Sequence, residues 1–199
     1  MGDTAEKTID EIRRNRERFE AFVRSLSEEQ LSRQVPDSTW SVRDFVAHLG
    51  TLDPALERWF ERAAAGERFD NGLGEDGGRF DIDDFNEAQV LARRTWPIEQ
   101  VLAEAAQNRA RLIAALSELG EDAVKQEMRF AGDAKRAPGT WPFALFLAGW
   151  AQHDPIHAAD MLRALPELQD DEDLRAWTSN PFVQGYQRIM NPGHGEPRA

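Results

Sequence analysis

The chain contains no cysteine, and that absence removes three kinds of chemistry together. Disulfides, thiolate metal ligands and a thiol nucleophile of the protein's own are all excluded. Any thiol chemistry needs a thiol supplied as a small molecule. No apolar run approaches the ~20 residues of a membrane span, and the opening MGDTAEKTIDEIRRN has no apolar signal core. The expectation is a soluble, cytoplasmic protein with no membrane partner. Positive charge is scarce as well, with 24 basic residues against 36 acidic ones and a net charge of −12. A field of that sign repels phosphate backbones, so nucleic acid is not an expected partner. The Gly- and Asp-rich stretch from Gly66 to Asp84 lacks both the GK[ST] ending of a phosphate loop and the spacing of an EF-hand. It reads as a solvated loop rather than a calcium site.

What the sequence does have is helical periodicity. Its 199 residues, 41% of them hydrophobic, are enough for one good core. Ile9, Ile12, Phe19, Val23 and Leu26 recur in steps of three and four, with Arg16 interrupting, and predict a helix from Thr4 to Leu26. Ser27 opens SEEQ, a capping-box pattern for a short helix over Glu28 to Arg33, which Pro36 and Asp37 close. Ser41 as N-cap, Asp44 three residues on, and Trp40 placed to staple onto Phe45 start a second long helix. Its stripe runs through Val42, Phe45, Leu49, Leu52, Leu56 and Trp59, and Pro54 is expected to kink it.

A short helix over Phe85 to Arg94 and a longer one from Thr95-Trp96-Pro97 to Leu119 follow, with Gly120 as the stop. Thr-Trp-Pro recurs at Thr140 to Pro142, where Thr can cap and Pro can occupy the first turn of the last long helix. That helix carries Phe143, Phe146, Trp150, His153, His157 and Met161. Four long amphipathic helices without a convincing alternating strand predict an all-α fold, an antiparallel four-helix bundle over residues 1–165. Residues 166–199 form an extension with one further helix and a disordered tail that includes His194.

Three of the four histidines fall on inward faces of these helices. His153 and His157, at i and i+4, replace apolar residues in the last stripe, and their ring nitrogens stand one turn apart, a spacing that suits one divalent ion. His48, three residues after Phe45, lies in the inward sector of its own helix and supplies a third candidate ligand. Three neutral imidazoles with no thiolate suit zinc, nickel or ferrous iron and leave coordination positions open. The competing reading is that of hydrogen-bonded core histidines without metal. Pro155 frees the carbonyl of Ala151 and either spoils the i, i+4 register or widens the bundle around a site. Asp160 and Asp154 can each orient an imidazole. For Asp154 a solvated helix face is the preferred alternative, and for Asp160 the two readings stand level. Asp53 and Glu57 lie near His48 in sequence without a clear direction. Trp40, Trp141 and Trp150 can wall a substrate pocket or simply fill the core.

WSVRDFVAHL after a short capped helix, followed far downstream by HDPIHAAD, resembles the DinB/YfiT-like superfamily, which includes the mycothiol-dependent maleylpyruvate isomerases. The resemblance covers roughly residues 4 to 165. It implies a four-helix bundle, often dimeric, with a divalent metal held at the positions of His48, His153 and His157. Members of known chemistry mostly use a low-molecular-weight thiol for transfer or isomerisation, and some relatives are hydrolases. DIDDFNEAQ, Asp81 to Gln89, resembles the segment that opens the third helix of the isomerase branch. Asp160 departs from the Gln that many relatives carry there. The resemblance thus implies a metal-dependent S-transferase or isomerase acting on a small electrophile and a thiol, as a homodimer. The alternatives are a metal-dependent hydrolase and a non-catalytic, stress-associated bundle.

Overall fold

The computed structural model describes residues 3–66, 70–71, 81–130 and 137–190. The first apolar stripe forms helix α1, Asp3–Ser25, and Ile9, Ile12, Phe19 and Val23 are all buried along it. Arg16, which interrupts that stripe, is buried with them. Ser27 and Gln30 make both reciprocal bonds of a capping box and open α2, Glu28–Ser32. A second box, Ser41 with Asp44, opens α3, Val42–His48, where Trp40 packs edge-on against Phe45 at 5.2 Å.

The expected second long helix is in fact two. α3 stops at His48, Gly50 turns the chain at φ +98°, and α4, Asp53–Ala64, restarts with Pro54 in its first turn. Pro54 therefore begins a helix instead of kinking one, because the first turn needs no N–H from it. Gly50 is demanded twice. Its φ lies in the left-handed region, and a Cβ there would stand 2.8 Å from the Cβ of Ala105.

Most of the Gly66–Asp84 segment, with its calcium reading, lies outside the described residues, as does His194. A two-residue strand β1, Asp70–Asn71, is described within it. Helix α5, Ile82–Arg93, starts ahead of Phe85 because Asp81 caps it, accepting from the amides of Asp83 and Asp84. α6, Ile98–Ser117, follows Pro97, and a single turn α7, Glu121–Val124, follows Gly120. Strands β2, Glu127–Phe130, and β3, Gly139–Pro142, then pair antiparallel, with β1 added parallel to β2. Thr140 was expected to cap a helix; it sits in β3 opposite Arg129, and the helix begins afterwards at Phe143.

The last long helix is likewise divided, into α8, Phe143–Ala151, and α9, His153–Leu162, which meet at Gln152. Pro155 has no N–H to give the carbonyl of Ala151, and Asn15 Nδ2 donates to that oxygen instead, at 2.7 Å. Beyond a 3-10 turn at Pro166–Leu168, the extension holds two helices rather than one, α10, Glu172–Thr178, and α11, Pro181–Met190. Trp177 and Val183 are buried, and Trp177 Nε1 donates to Asn15 Oδ1 at 2.9 Å.

The arms α1, α3–α4, α6 and α8–α9 make an antiparallel bundle, so the fold is all-α apart from the small sheet. Its apolar interior is split into two clusters. One joins the C-terminal half of α1, α3, the start of α6 and the end of α9; the other joins the N-terminal half of α1, α4, the rest of α6 and α8. Between them each arm contributes buried polar side chains: Asn15 and Arg16, Thr51 and Asp53, Asn108 and Arg109, Gln152 and Asp154. Both helix breaks fall in this belt. Among the described residues no helix is long and apolar enough to cross a membrane.

Candidate metal centre

His48 occupies the last turn of α3, His153 begins α9, and His157 lies one turn further along α9. The break at Gln152 precedes both histidines of α9, so Pro155 leaves their i, i+4 register intact. One ligand atom from each of the three rings lies within 4.8 Å of the others. Ring centroids are 5.3 Å apart for His48 and His153, 4.9 Å for His48 and His157, and 4.7 Å for His153 and His157. His153 Nε2 and His157 Nε2 approach to 3.2 Å. Two nitrogens that close share either a proton or a cation, and a pair held at ~2.1 Å from one tetrahedral ion stands about 3.4 Å apart.

The electrostatics favour the ligating form. Burial pushes the pKa of His48 well below its ordinary value, and His157 lowers it further. Burial does the same to His153, with His157, His48, Arg109 and Arg16 adding to the effect. Both rings are therefore neutral imidazoles with a free lone pair. His48 Nδ1 and His153 Nδ1 are buried with no hydrogen-bond partner among the described residues; for His153 that atom is not the Nε2 that meets His157. On the chemistry of its donors, the cluster fits a divalent ion of borderline softness.

Asp160 supplies a direct orienting contact. Its Oδ2 lies 3.1 Å from His157 Nδ1. A carboxylate oxygen accepts from a ring Nδ1–H, and this contact turns the Nε2 edge of His157 toward His153. Asp154 is not on a solvated face. It is 1% exposed, with Oδ1 accepting from Arg16 Nη2 at 2.9 Å and 3.7 Å from Arg109 Nη2. Asp53 is also buried and accepts from Arg109 Nε at 2.7 Å. Glu57 faces away to Arg111 at 3.3 Å. Burial opposes the charge on both arginines. For Arg109 the two aspartates outweigh it and raise the pKa, whereas for Arg16 burial wins and lowers it.

Aromatic rings flank the histidines. Trp150 stacks on His153 at 4.4 Å and 16°, Phe45 lies 5.5 Å from His157, and Trp40 lies 5.2 Å from His48. Trp40 Nε1 donates to Glu87 Oε2 at 2.8 Å, which ties the wall to α5. Trp141 is elsewhere, on β3 against Phe130. Phe45 and Glu87 lie within WSVRDFVAHL and DIDDFNEAQ, whereas Arg16 and Arg109 carried no motif that marked them for this region. The sole signal was Arg16 standing in an apolar stripe.

An all-helical bundle with three histidines converging from two broken arms defines the class of protein. The family model described as the DinB superfamily matches residues 11–161, and the chain belongs to that superfamily. Two solved structures are similar in fold, the mycothiol-dependent maleylpyruvate isomerase and a mutant of it. Each has a TM-score of 0.59 and 17% identity, over 81% of this chain and 63% of the other. This chain thus spans less than two thirds of the length of those enzymes. A comparison with curated proteins gives no match.

Proposed function

We propose that the chain is a divalent-metal-dependent enzyme that joins a low-molecular-weight thiol to a small electrophile, by S-transfer or by thiol-assisted isomerisation. His48, His153 and His157 hold the ion. One observation carries this reading: three imidazoles meet without a thiolate or a fourth protein ligand among the described residues, with His48 buried and His153 and His157 half-buried. Ligands on one side and access on the other are the marks of an open rather than a closed site. When bound, zinc, nickel or ferrous iron supplies Lewis acidity, which makes a thiol or water nucleophilic at neutral pH. The chain's own part is to hold His48 and His153 neutral by burial, to orient His157 through Asp160, and to line the site with Trp40, Phe45 and Trp150. With no cysteine, the thiol is a cosubstrate. The name of the similar isomerases supports that choice of nucleophile, and their low identity leaves the electrophile open.

The test begins with protein purified without a histidine tag. Near-stoichiometric zinc, nickel or iron that is lost in His153→Ala is expected, and metal below about one-tenth stoichiometry in both proteins would sink the enzymatic reading. An electrophile panel with and without added thiol then decides the reaction. Consumption that needs the thiol supports transfer, whereas turnover without it would make the protein a hydrolase.

A further inference from the structure

Each arm that carries a candidate ligand is broken beside it, and a buried aspartate stands in the first helical turn beyond each break. Asp53 follows the α3–α4 break after His48, and Asp154 follows His153 at the α8–α9 break. A single side chain reaches both. Arg109, 3% exposed on α6, donates from Nε to Asp53 Oδ2 at 2.7 Å, and its Nη2, which makes no hydrogen bond among the described residues, forms an ion pair with Asp154 Oδ1 at 3.7 Å. Its neighbours grip the first break as well, since Asn108 Nδ2 donates to the carbonyl of Gly50 at 3.1 Å and Ala105 packs where a Cβ on Gly50 would stand. At the second break Arg16 donates to Asp154 from α1, and Asn15 donates to Ala151.

We infer that Arg109 is a positioning residue for the metal centre, its planar guanidinium setting the spacing between His48 and His153 by bridging the aspartates that follow the two breaks. The inference rests on the three-histidine reading above. His48 is the last residue of α3 and His153 the first of α9, so each stands at a helix terminus beside a break, where the hydrogen-bond ladder holds it from one side only. Contacts from across the core supply the other side. A guanidinium suits this task because its fork is rigid and always charged, whereas an ammonium is a point donor on a flexible stem. Arg109 touches none of the rings at hydrogen-bond distance, so its action passes through backbone placement.

The test compares Arg109→Lys and Arg109→Met with wild type in two readouts. The first is cobalt(II) affinity with the visible absorption spectrum of the bound ion. The second is the separation of the His48 and His153 rings in metal-free crystals, 5.3 Å in the native chain. Arg109→Lys keeps the charge balance of the belt and is expected to fold, yet it cannot bridge both carboxylates. A roughly 10–100-fold loss of cobalt affinity, a changed spectrum and an altered ring separation are expected in it, as for other outer contacts of metal ligands. Arg109→Met, if it folds, should show the same changes or larger ones. Leu116→Ala, in the apolar cluster away from both breaks, serves as a destabilised control that keeps native affinity and spectrum. If Arg109→Lys keeps the native ring separation, or binds cobalt as wild type does, the inference is overturned and Arg109 is a charge-balancing residue only. If wild type itself takes up no cobalt, the metal reading fails, and the ring separation alone decides the role of Arg109.

Discussion

Asp154 and Asp160 stand six positions apart on one helix, the first adjoining His153 and the second three residues beyond His157. The structure gives them unrelated tasks. Asp160 is close to the surface and holds His157 three residues away; Asp154 is enclosed and paired with an arginine 138 residues distant. Asp160→Ala should therefore act on ligand orientation and little on folding. A loss of about tenfold in zinc affinity is expected, with a thermal midpoint close to wild type. Competition with a chromophoric chelator measures the first and differential scanning fluorimetry the second. Unchanged affinity would show that His157 needs no help to face the site. The contrast explains which residues were legible: a contact at i+3 is written into helical spacing, whereas a pair closed by the tertiary fold leaves no local trace.

At the scale of elements, the starts of helices were easier to read than their interruptions. Ser27 with Gln30 and Ser41 with Asp44 declare themselves within four residues, and both boxes are present. The divisions at Gly50 and Gln152 were missed because the apolar stripes run across them in nearly unbroken step. Leu49 and Leu56 remain buried on either side of one division, as do Leu147 and Met161 on either side of the other. Periodicity records which side chains face inward and says little about whether the backbone between them is continuous. Pro54 and Pro155 were visible as disturbances, but their effect depended on partners elsewhere, Ala105 and Asn108 for one arm and Asn15 for the other. Gly50→Ala tests the first division. A Cβ both strains the positive φ and collides with Ala105, so a destabilisation of about 2 kcal/mol or more is expected in urea unfolding. Adding Ala105→Gly should recover only a small part of the loss, since it removes the Cβ contact but leaves the Ala105 Cα 2.9 Å away and the φ strained. Full recovery would show that contact alone, and not the backbone, requires glycine.

For the molecule as a whole, the boundary expected at residue 165 does not mark the edge of packing. Trp177 lies in the same apolar cluster as α1 and α3, and through Asn15 it is linked to the carbonyl freed at the α8–α9 break. The extension thus packs onto the layer that positions the histidines. That polar layer also bears on the order in which the chain acquires its structure. Its ion pairs join residues 56 and 138 positions apart, so the entropy of closing long loops is spent before either pair can form. The histidines are expected to meet only as this layer closes. An ion that recognises the finished triad has nothing to hold in the folding transition state. Stopped-flow measurements should accordingly find the refolding rate independent of zinc concentration and the unfolding rate slowed by it. A refolding rate that rises with zinc would mean that the triad assembles before the layer, and that the metal is a template for the fold and not its last addition.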